Sequence, residues 1–343
     1  MRVLPIDEIG INKVIFHKYD EKILSLLCKN ARIPLSKIAK MVRLSRQSVE
    51  YRIRVMEKEH LLAGSRAVIN IRKLGYQSYH YFLTLNEEKS EKEFISRAIE
   101  SNNANVLISY SGKWNYELSI MAKNPTDAQR VFLELIKEII VVDYVPLILL
   151  DNIKAEVLPE INSGKNISLK NIRNDPSFSK QFITNEIKYL PDENDLNILF
   201  RLSQNSQITL AELGKKTKMG RDSISYRIKK LIRSKYILEF RPVVDYSVLN
   251  LSVQTVLLKV NRGIKQDDRF KEYLKRNKKI IWATEVFGSW DYLIYALTES
   301  QDEINNFINE LRKEFSSYLF SYEMLFAYKE HKYSFMTEAM KEM

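Results

Sequence analysis

The chain has 343 residues, 45% of them apolar and 28% charged, with a net charge of +11 and a pI near 9.3. That balance suits a folded protein with more than one core and excludes global disorder. The apolar run from Val145 to Leu150 is far too short to cross a bilayer, and Asp7 and Glu8 stand where a secretory signal would be apolar, so a cytoplasmic, nucleoid-associated protein is expected. A lone cysteine, Cys28, excludes an internal disulfide and reads as helix packing.

Beyond an extension over 1–19, the first predicted helix runs from Asp20 to Lys29, with Ile23, Leu24 and Leu27 on one face. A second covers about 35–42 with Ile38 and Val42 inward, and the turn Arg43-Leu44 leads to Ser45 as N-cap of a third, running to about 59. Three short helices with a tight turn form a helix-turn-helix. The period then switches from helical to alternating at 66–71, a connecting strand. There follow strand 77–86, a helix opened by a capping box at Ser90-Glu91-Lys92-Glu93, strands 104–111 and 114–122, a helix started at Asn124-Pro125, and strand 144–151. That order is βαββαβ, the ferredoxin-like arrangement.

Segment 152–190, rich in Asn, Ser and Lys with Pro159, Gly164 and Pro176 as breakers, reads as a linker. The pattern then restarts. Helices are expected at about 194–203, 210–217 and 220–235, the last with Gly220 as a weaker cap than serine. A connecting strand at 241–246 precedes elements at 252–261, 266–278, 280–287, 290–298, 301–316 and 318–328, with a second capping box at Ser300-Gln301-Asp302-Glu303. In the tail, Phe335, Met336 and Met340 suggest a docking helix.

Sliding the sequence by 175 positions aligns Asp20 with Asp195, and thirteen of the 34 positions in 20–53 are then identical. Chance would give about two or three. With one inserted residue the match returns where Gly112-Lys113-Trp114-Asn115-Tyr116 meets Gly288-Ser289-Trp290-Asp291-Tyr292, so the duplication spans whole units. The basic charge follows it: 20–66 holds eleven Lys/Arg against five Asp/Glu, 195–241 eleven against four, and the other 249 residues sum to −2. Two compact basic blocks indicate an anionic partner.

The expected fold class is therefore α+β, two tandem units that each join a winged helix-turn-helix to a βαββαβ domain. The expected domains are the extension (1–19), head 1 (20–66), sensor domain 1 (67–151), the linker (152–190), head 2 (191–241), sensor domain 2 (242–328) and the tail (329–343). One face of each sheet is covered by its helices and the other must be buried against a second sheet, from the same chain or from another.

Asp20 through Leu62, including Asn30-Ala31-Arg32, Ile38-Ala39, Leu44-Ser45 and Arg52-Ile53, then Leu74-Gly75 and the two glycine-aromatic loops, resemble the Lrp/AsnC family, the leucine-responsive and asparagine regulators. The resemblance covers nearly the whole chain, twice. It implies a transcription regulator that binds double-stranded DNA, homo-oligomerises through its sensor sheets, and takes an amino-acid effector at sensor interfaces. Members usually carry one unit per chain, so two units suggest a covalently linked pseudo-dimer. The glycine loop usually continues with an acidic residue, present as Asp291 but replaced by Asn115 in the first copy. Gly112, Lys113, Asn115, Gly288, Ser289 and Asp291 are thus candidate ligand-binding residues; the plainer reading is a tight hairpin with a packing tryptophan.

On the third helix Val49, Ile53 and Met56 form the expected buried stripe, which turns Gln47, Tyr51, Arg54 and Lys58 outward. Arg46, Gln47 and Arg54 are candidate base readers, since Arg bonds guanine and Gln bonds adenine in bidentate fashion. Lys40, Arg43 and Lys58 lie where phosphates would pass, and Ser45 caps the helix; for any single lysine a solvated surface charge is the plainer reading. The second copy offers Lys218, Arg221, Asp222, Ser223, Tyr226, Lys229 and Arg233, with an acid in place of glutamine, so the two heads should read different sequences. A direct repeat or an asymmetric site suits two linked heads. Arg52 and Arg227 flank the buried stripe and fit either a salt bridge or a phosphate contact.

A low-specificity DNA-coating protein is the main alternative. An enzyme, such as the siroheme decarboxylases built on this architecture, is the other. His17, His60, His80 and His331 stand isolated in the sequence and there is no phosphate-binding glycine loop, so neither catalysis, a cofactor nor a metal is expected.

Overall fold

A computed structural model describes residues 17–158 and 188–341. The N-terminal extension up to residue 16 and most of the expected linker, 159–187, lie outside the described residues. Head 1 contains α1 (Lys18–Lys29), α2 (Leu35–Val42) and α3 (Arg46–Lys58), followed by strand β1 (Leu62–Ile69). Its sensor domain comprises β2 (Gln77–Leu85), α4 (Glu88–Glu100), β3 (Ala104–Ser111), β4 (Tyr116–Ala122), α5 (Pro125–Leu135) and β5 (Val141–Ala155). Head 2 repeats the order with α6 (Glu193–Gln204), α7 (Leu210–Thr217), α8 (Arg221–Arg233) and β6 (Ile237–Val244). The second sensor domain comprises β7 (Ser252–Val260), α9 (Asp267–Arg276), β8 (Ile280–Gly288), β9 (Tyr292–Thr298), α10 (Gln301–Glu314) and β10 (Leu319–Tyr333). Two units of helix-turn-helix plus ferredoxin-like domain are what the alternation of periods indicated.

Some boundaries differ. Ser90 lies inside α4, whose N-cap is Glu87, and Ser90 instead bonds the Glu87 carboxylate at 3.2 Å. Strand β5 continues to Ala155 and β10 to Tyr333, beyond the expected ends, because pairing with the other unit extends the ladder. The tail forms a short 3-10 turn, Glu338–Lys341, and Met336 and Met340 are wholly buried against Leu196, Leu199 and Leu202 of head 2.

The two sheets of one chain pair with each other. They join edge to edge in a closed eight-stranded barrel ordered β10-β3-β4-β2-β5-β8-β9-β7. Edges β3 and β5 of one sheet would expose unpaired backbone; β10 and β8 of the other satisfy them, and closure leaves no edge. The period of two decides the cores. On β2, Tyr81 and Leu83 face outward against Phe94 and Phe132 of the helices, while Phe82 joins an inner cluster with Val106, Leu147, Leu257 and Leu325. The outer core of the second sheet gathers Phe270, Tyr292, Phe307 and Phe315.

A second, two-stranded sheet, β1 with β6, forms an antiparallel ribbon in which Arg66 pairs with Arg241. These residues are equivalent in the repeat, so a pseudo-two-fold axis passes between them. Each head is docked on the other unit's strand: Ala31 N–H donates to Phe240 O at 2.9 Å and, equivalently, Ser206 N–H to Ser65 O at 2.8 Å. Asn70 N–H to Tyr236 O and Asp245 N–H to Leu61 O, both 2.9 Å, repeat the symmetry.

Candidate nucleic-acid interface

In each head the third helix is held against the first by a buried stripe and by a charged clamp. Val49 and Met56 are buried and Ile53 half-buried; Ile224, Ile228 and Leu231 do the same in α8. Arg52 donates to Asp20 at 2.8 Å, and Arg227 to Asp192 at 2.7 Å and Asp195 at 2.9 Å. Both arginines therefore serve the scaffold. The pairing of Asp20 with Asp195 in the repeat was the signal that could have assigned them, because an acid kept at the start of α1 and an arginine kept in α3 are 32 positions apart in both copies.

The outward face is as expected from helical spacing. Lys40, Arg43, Ser45, Arg46, Gln47, Tyr51, Arg54 and Lys58 are all exposed, as are Lys218, Arg221, Asp222, Ser223, Tyr226, Lys229 and Arg233. Tyr51 and Tyr226 are 69% and 65% exposed. Arg54 is held by Glu50 at 2.7 Å, which aims its guanidinium along the helix surface. Ser45 caps α3 by accepting from Ser48 N–H at 3.0 Å, whereas Gly220 gives α8 no side-chain cap. The turn before each third helix is made by a cation in the left-handed region, Arg43 at φ +57° and Lys218 at φ +54°. A non-glycine residue there is strained, and here each one places an exposed cation beside the third helix.

The glycine loops lie at the seams of the barrel. Gly112 and Gly288 both have φ +143°, and an added Cβ would fall 2.8 Å from Leu325 Cδ2 and 2.6 Å from the Pro146 carbonyl, respectively. Asn115 bonds the backbone of Leu85 through both amide atoms, at 2.9 and 2.6 Å, and Asp291 accepts from Val260 N–H at 2.9 Å. Lys113 packs over the Trp114 ring, and Ser289 is exposed.

His80 is not isolated in space. Its Nδ1 donates to Glu117 Oε1 at 2.6 Å, and the same buried carboxylate accepts from the Tyr110 hydroxyl at 2.5 Å and from the Tyr295 hydroxyl at 2.7 Å. Burial, then the charge of Glu117, pushes both phenols well above their ordinary pKa. His331 bonds Ser109 at 2.8 Å. These partners lie on different strands, far apart in sequence, so no spacing could reveal them. No group of three or more metal-ligating side chains is present among the described residues, and no helix there is long and apolar enough to cross a membrane.

Comparison with known proteins agrees with this geometry. A winged helix-turn-helix DNA-binding family model matches residues 16–62 and 191–237, the two heads. The HTH-type transcriptional regulator LrpC of Bacillus subtilis is 30% identical over 121 residues, covering 35% of this chain and 82% of that protein. The proline dehydrogenase transcriptional activator of Rhodobacter capsulatus is 30% identical over 115 residues, 33% of this chain and 75% of its own length. Among solved structures the siroheme decarboxylase NirDL shares the fold along almost the full length, with TM-score 0.57 at 14% identity, covering 93% of this chain and 94% of that one. With two such heads and two such sheets in one polypeptide, the chain belongs to the Lrp/AsnC family and carries that family's unit in tandem.

Proposed function

We propose that the protein is a sequence-specific transcription regulator in which a single chain reads one imperfect inverted repeat, α3 taking one half-site and α8 the other. The observation that carries this is the same exposed face on both third helices, with a tyrosine at its centre, cations around it and an internal clamp behind it. The pseudo-two-fold axis through the ribbon relates the heads as a dimer's heads are related, which argues for an inverted site over a direct repeat. Gln47 and Arg54 face one half-site and Asp222 and Lys229 the other, so the halves differ in sequence. Because the barrel already pairs two sensor sheets, the chain stands where a dimer of one-unit relatives would, and any higher oligomer is built from such chains. The decarboxylase likeness is one of fold and carries no catalytic assignment here.

The test is retention of genomic fragments, including the protein's own promoter region, against scrambled competitor across a salt series. Specific fragments should survive salt that releases scrambled DNA. Gln47→Ala/Arg54→Ala should weaken the specific complex by about tenfold to a hundredfold and relax preference in one half-site only. Asp222→Ala/Lys229→Ala should relax the other half. Release of all fragments at one salt concentration would replace this reading with a DNA-coating role, and no DNA binding at low salt would overturn it.

A further inference from the structure

Beneath the β1–β6 ribbon, at the mouth of the barrel and across the pseudo-two-fold axis, lies a cavity of about 460 Å³. Its walls are unequal. On one seam Ala155 of β5 pairs with Trp282 of β8, and on the other Tyr333 of β10 pairs with Val106 of β3. In the repeat Val106 corresponds to Trp282 and Ala155 to Tyr333, so the second unit supplies both large rings and the first unit both small residues. Duplication within one chain permits this; a homodimer would place equal residues on both sides. Trp282 is stacked on Tyr295 at 4.9 Å, and the cavity is lined by these rings and Tyr333 of the second unit together with Val106 and Ala155 of the first.

Three polar groups at this cavity have capacity to spare. His80 is 5% exposed, with Nδ1 on the Glu117 carboxylate at 2.6 Å and Nε2 at 3.2 Å from Ser78 Oγ, a hydroxyl that also has Ser119 Oγ at 2.8 Å and can turn to it, freeing the ring nitrogen for a ligand. Asn105, also 5% exposed, uses its amide N–H on Ser334 O at 3.3 Å and has no hydrogen-bond partner for Oδ1 among the described residues. Arg241 donates through Nε to Glu239 and through Nη2 to Ala155 O at 3.0 Å, and Nη1 has no hydrogen-bond partner among the described residues. An unused buried acceptor is unfavourable, and a ligand that donates to it gains that energy.

We propose that this cavity binds one planar bicyclic aromatic acid per chain, its ring system against Trp282 and Tyr333, its carboxylate on Arg241 and an N–H or O–H donor on His80 and Asn105. The size and the mix of an apolar wall with few convergent polar groups fit a small-molecule site. The site is independent of the DNA reading, so it is tested on the protein alone. By titration calorimetry kynurenate, which has ring, acid and donor, should bind with one site per chain. Naphthoate, without the donor, and hydroxyquinoline, without the acid, should each bind at least about tenfold more weakly, the worth of one such hydrogen bond. Asn105→Leu should erase the advantage over naphthoate, and Arg241→Ala the advantage over hydroxyquinoline. Ala155→Trp, an exposed strand position filled with bulk, should abolish binding of all three while the far-ultraviolet dichroism is unchanged. No heat with any probe, equal affinity for all three, two sites per chain, or binding that survives Ala155→Trp overturns the proposal.

Discussion

The two heads share a skeleton and differ on their faces. Their hydrogen bonds to the ribbon are equivalent, the clamp from the third helix to the first is present in both, and so are the left-handed cation in the turn and the exposed tyrosine. What changed is Gln47 to Asp222, Arg54 to Lys229, and the cap from Ser45 to Gly220. Packing and backbone hydrogen bonds constrain the skeleton in the same way twice, since both heads must fit one symmetric ribbon. The outward face is exposed and, the surface pair of Arg54 with Glu50 aside, is not bound by packing, so it was free to diverge.

The clamps should separate the heads most. Asp195 is wholly buried and shares Arg227 with Asp192, whereas Asp20 and Arg52 keep 13% and 25% side-chain exposure in a single contact. Arg227→Ala leaves a buried carboxylate held, among the described residues, by Tyr189 and a backbone N–H, and should destabilise head 2 by about 3 kcal/mol. Arg52→Ala should cost head 1 about 1 kcal/mol, as a partly exposed pair. Amide hydrogen exchange in α6–α8 against α1–α3 measures both. Equal losses would mean that the second acid adds nothing. Burial acts to raise the Asp192 carboxyl, but the hydrogen bond and charge of Arg227 together with the hydrogen bonds from Asp195 outweigh it and hold the group below its ordinary value of 3.8. Its contribution is present above that value and lost as pH falls through the depressed one, so acid should narrow the gap between the two variants.

The clamp also shows what sequence could and could not disclose. Element order, the duplication and the outward faces of α3 and α8 were legible because they follow from local periodicity and from a repeat at a fixed offset. Closure of the sheets within one chain was open between two answers, since an unpaired edge demands a partner without naming it. His80 read as isolated because Glu117, which bonds it, and Tyr110 and Tyr295, which bond that same carboxylate, come from three other strands, one of them in the second unit. Ser90 misled because its spacing to Glu93 matches a capping box, while α4 starts earlier, at Glu88, with acids favoured in its first turn. Long-range pairing defines the barrel interior, and local pattern carries no record of it.

The strained turns offer the next comparison, since both heads place a cation where glycine is the relaxed choice. Arg43→Gly and Lys218→Gly should each stabilise their own head by about 1 kcal/mol by removing left-handed strain. Each should also weaken DNA binding and lower the slope of log affinity against log salt by about 0.9, the signature of one lost phosphate contact. A gain in stability with an unchanged salt slope would show that these charges face solvent and do not touch the DNA backbone.

The smallest effect is the sharpest test of equivalence. Ser45 and Gly220 occupy the same N-cap backbone conformation, φ −68° with ψ 156° and 150°, and nothing lies within 4 Å of a Cβ added at Gly220. Gly220→Ser should therefore restore the bond to the N–H of Ser223 without strain and stabilise head 2 by about 0.5 kcal/mol, partly by restricting the unfolded chain. Ser45→Gly should cost head 1 a similar, slightly smaller amount, because glycine is itself a tolerated cap. Local exchange in α8 and α3 resolves changes of this size when the two variants are measured against one parent. Opposite shifts of similar magnitude would confirm that the heads differ here only in the side chain, whereas a Gly220→Ser that loosens α8 would mean that the missing hydroxyl is compensated elsewhere in head 2 and that the skeletons have diverged as well.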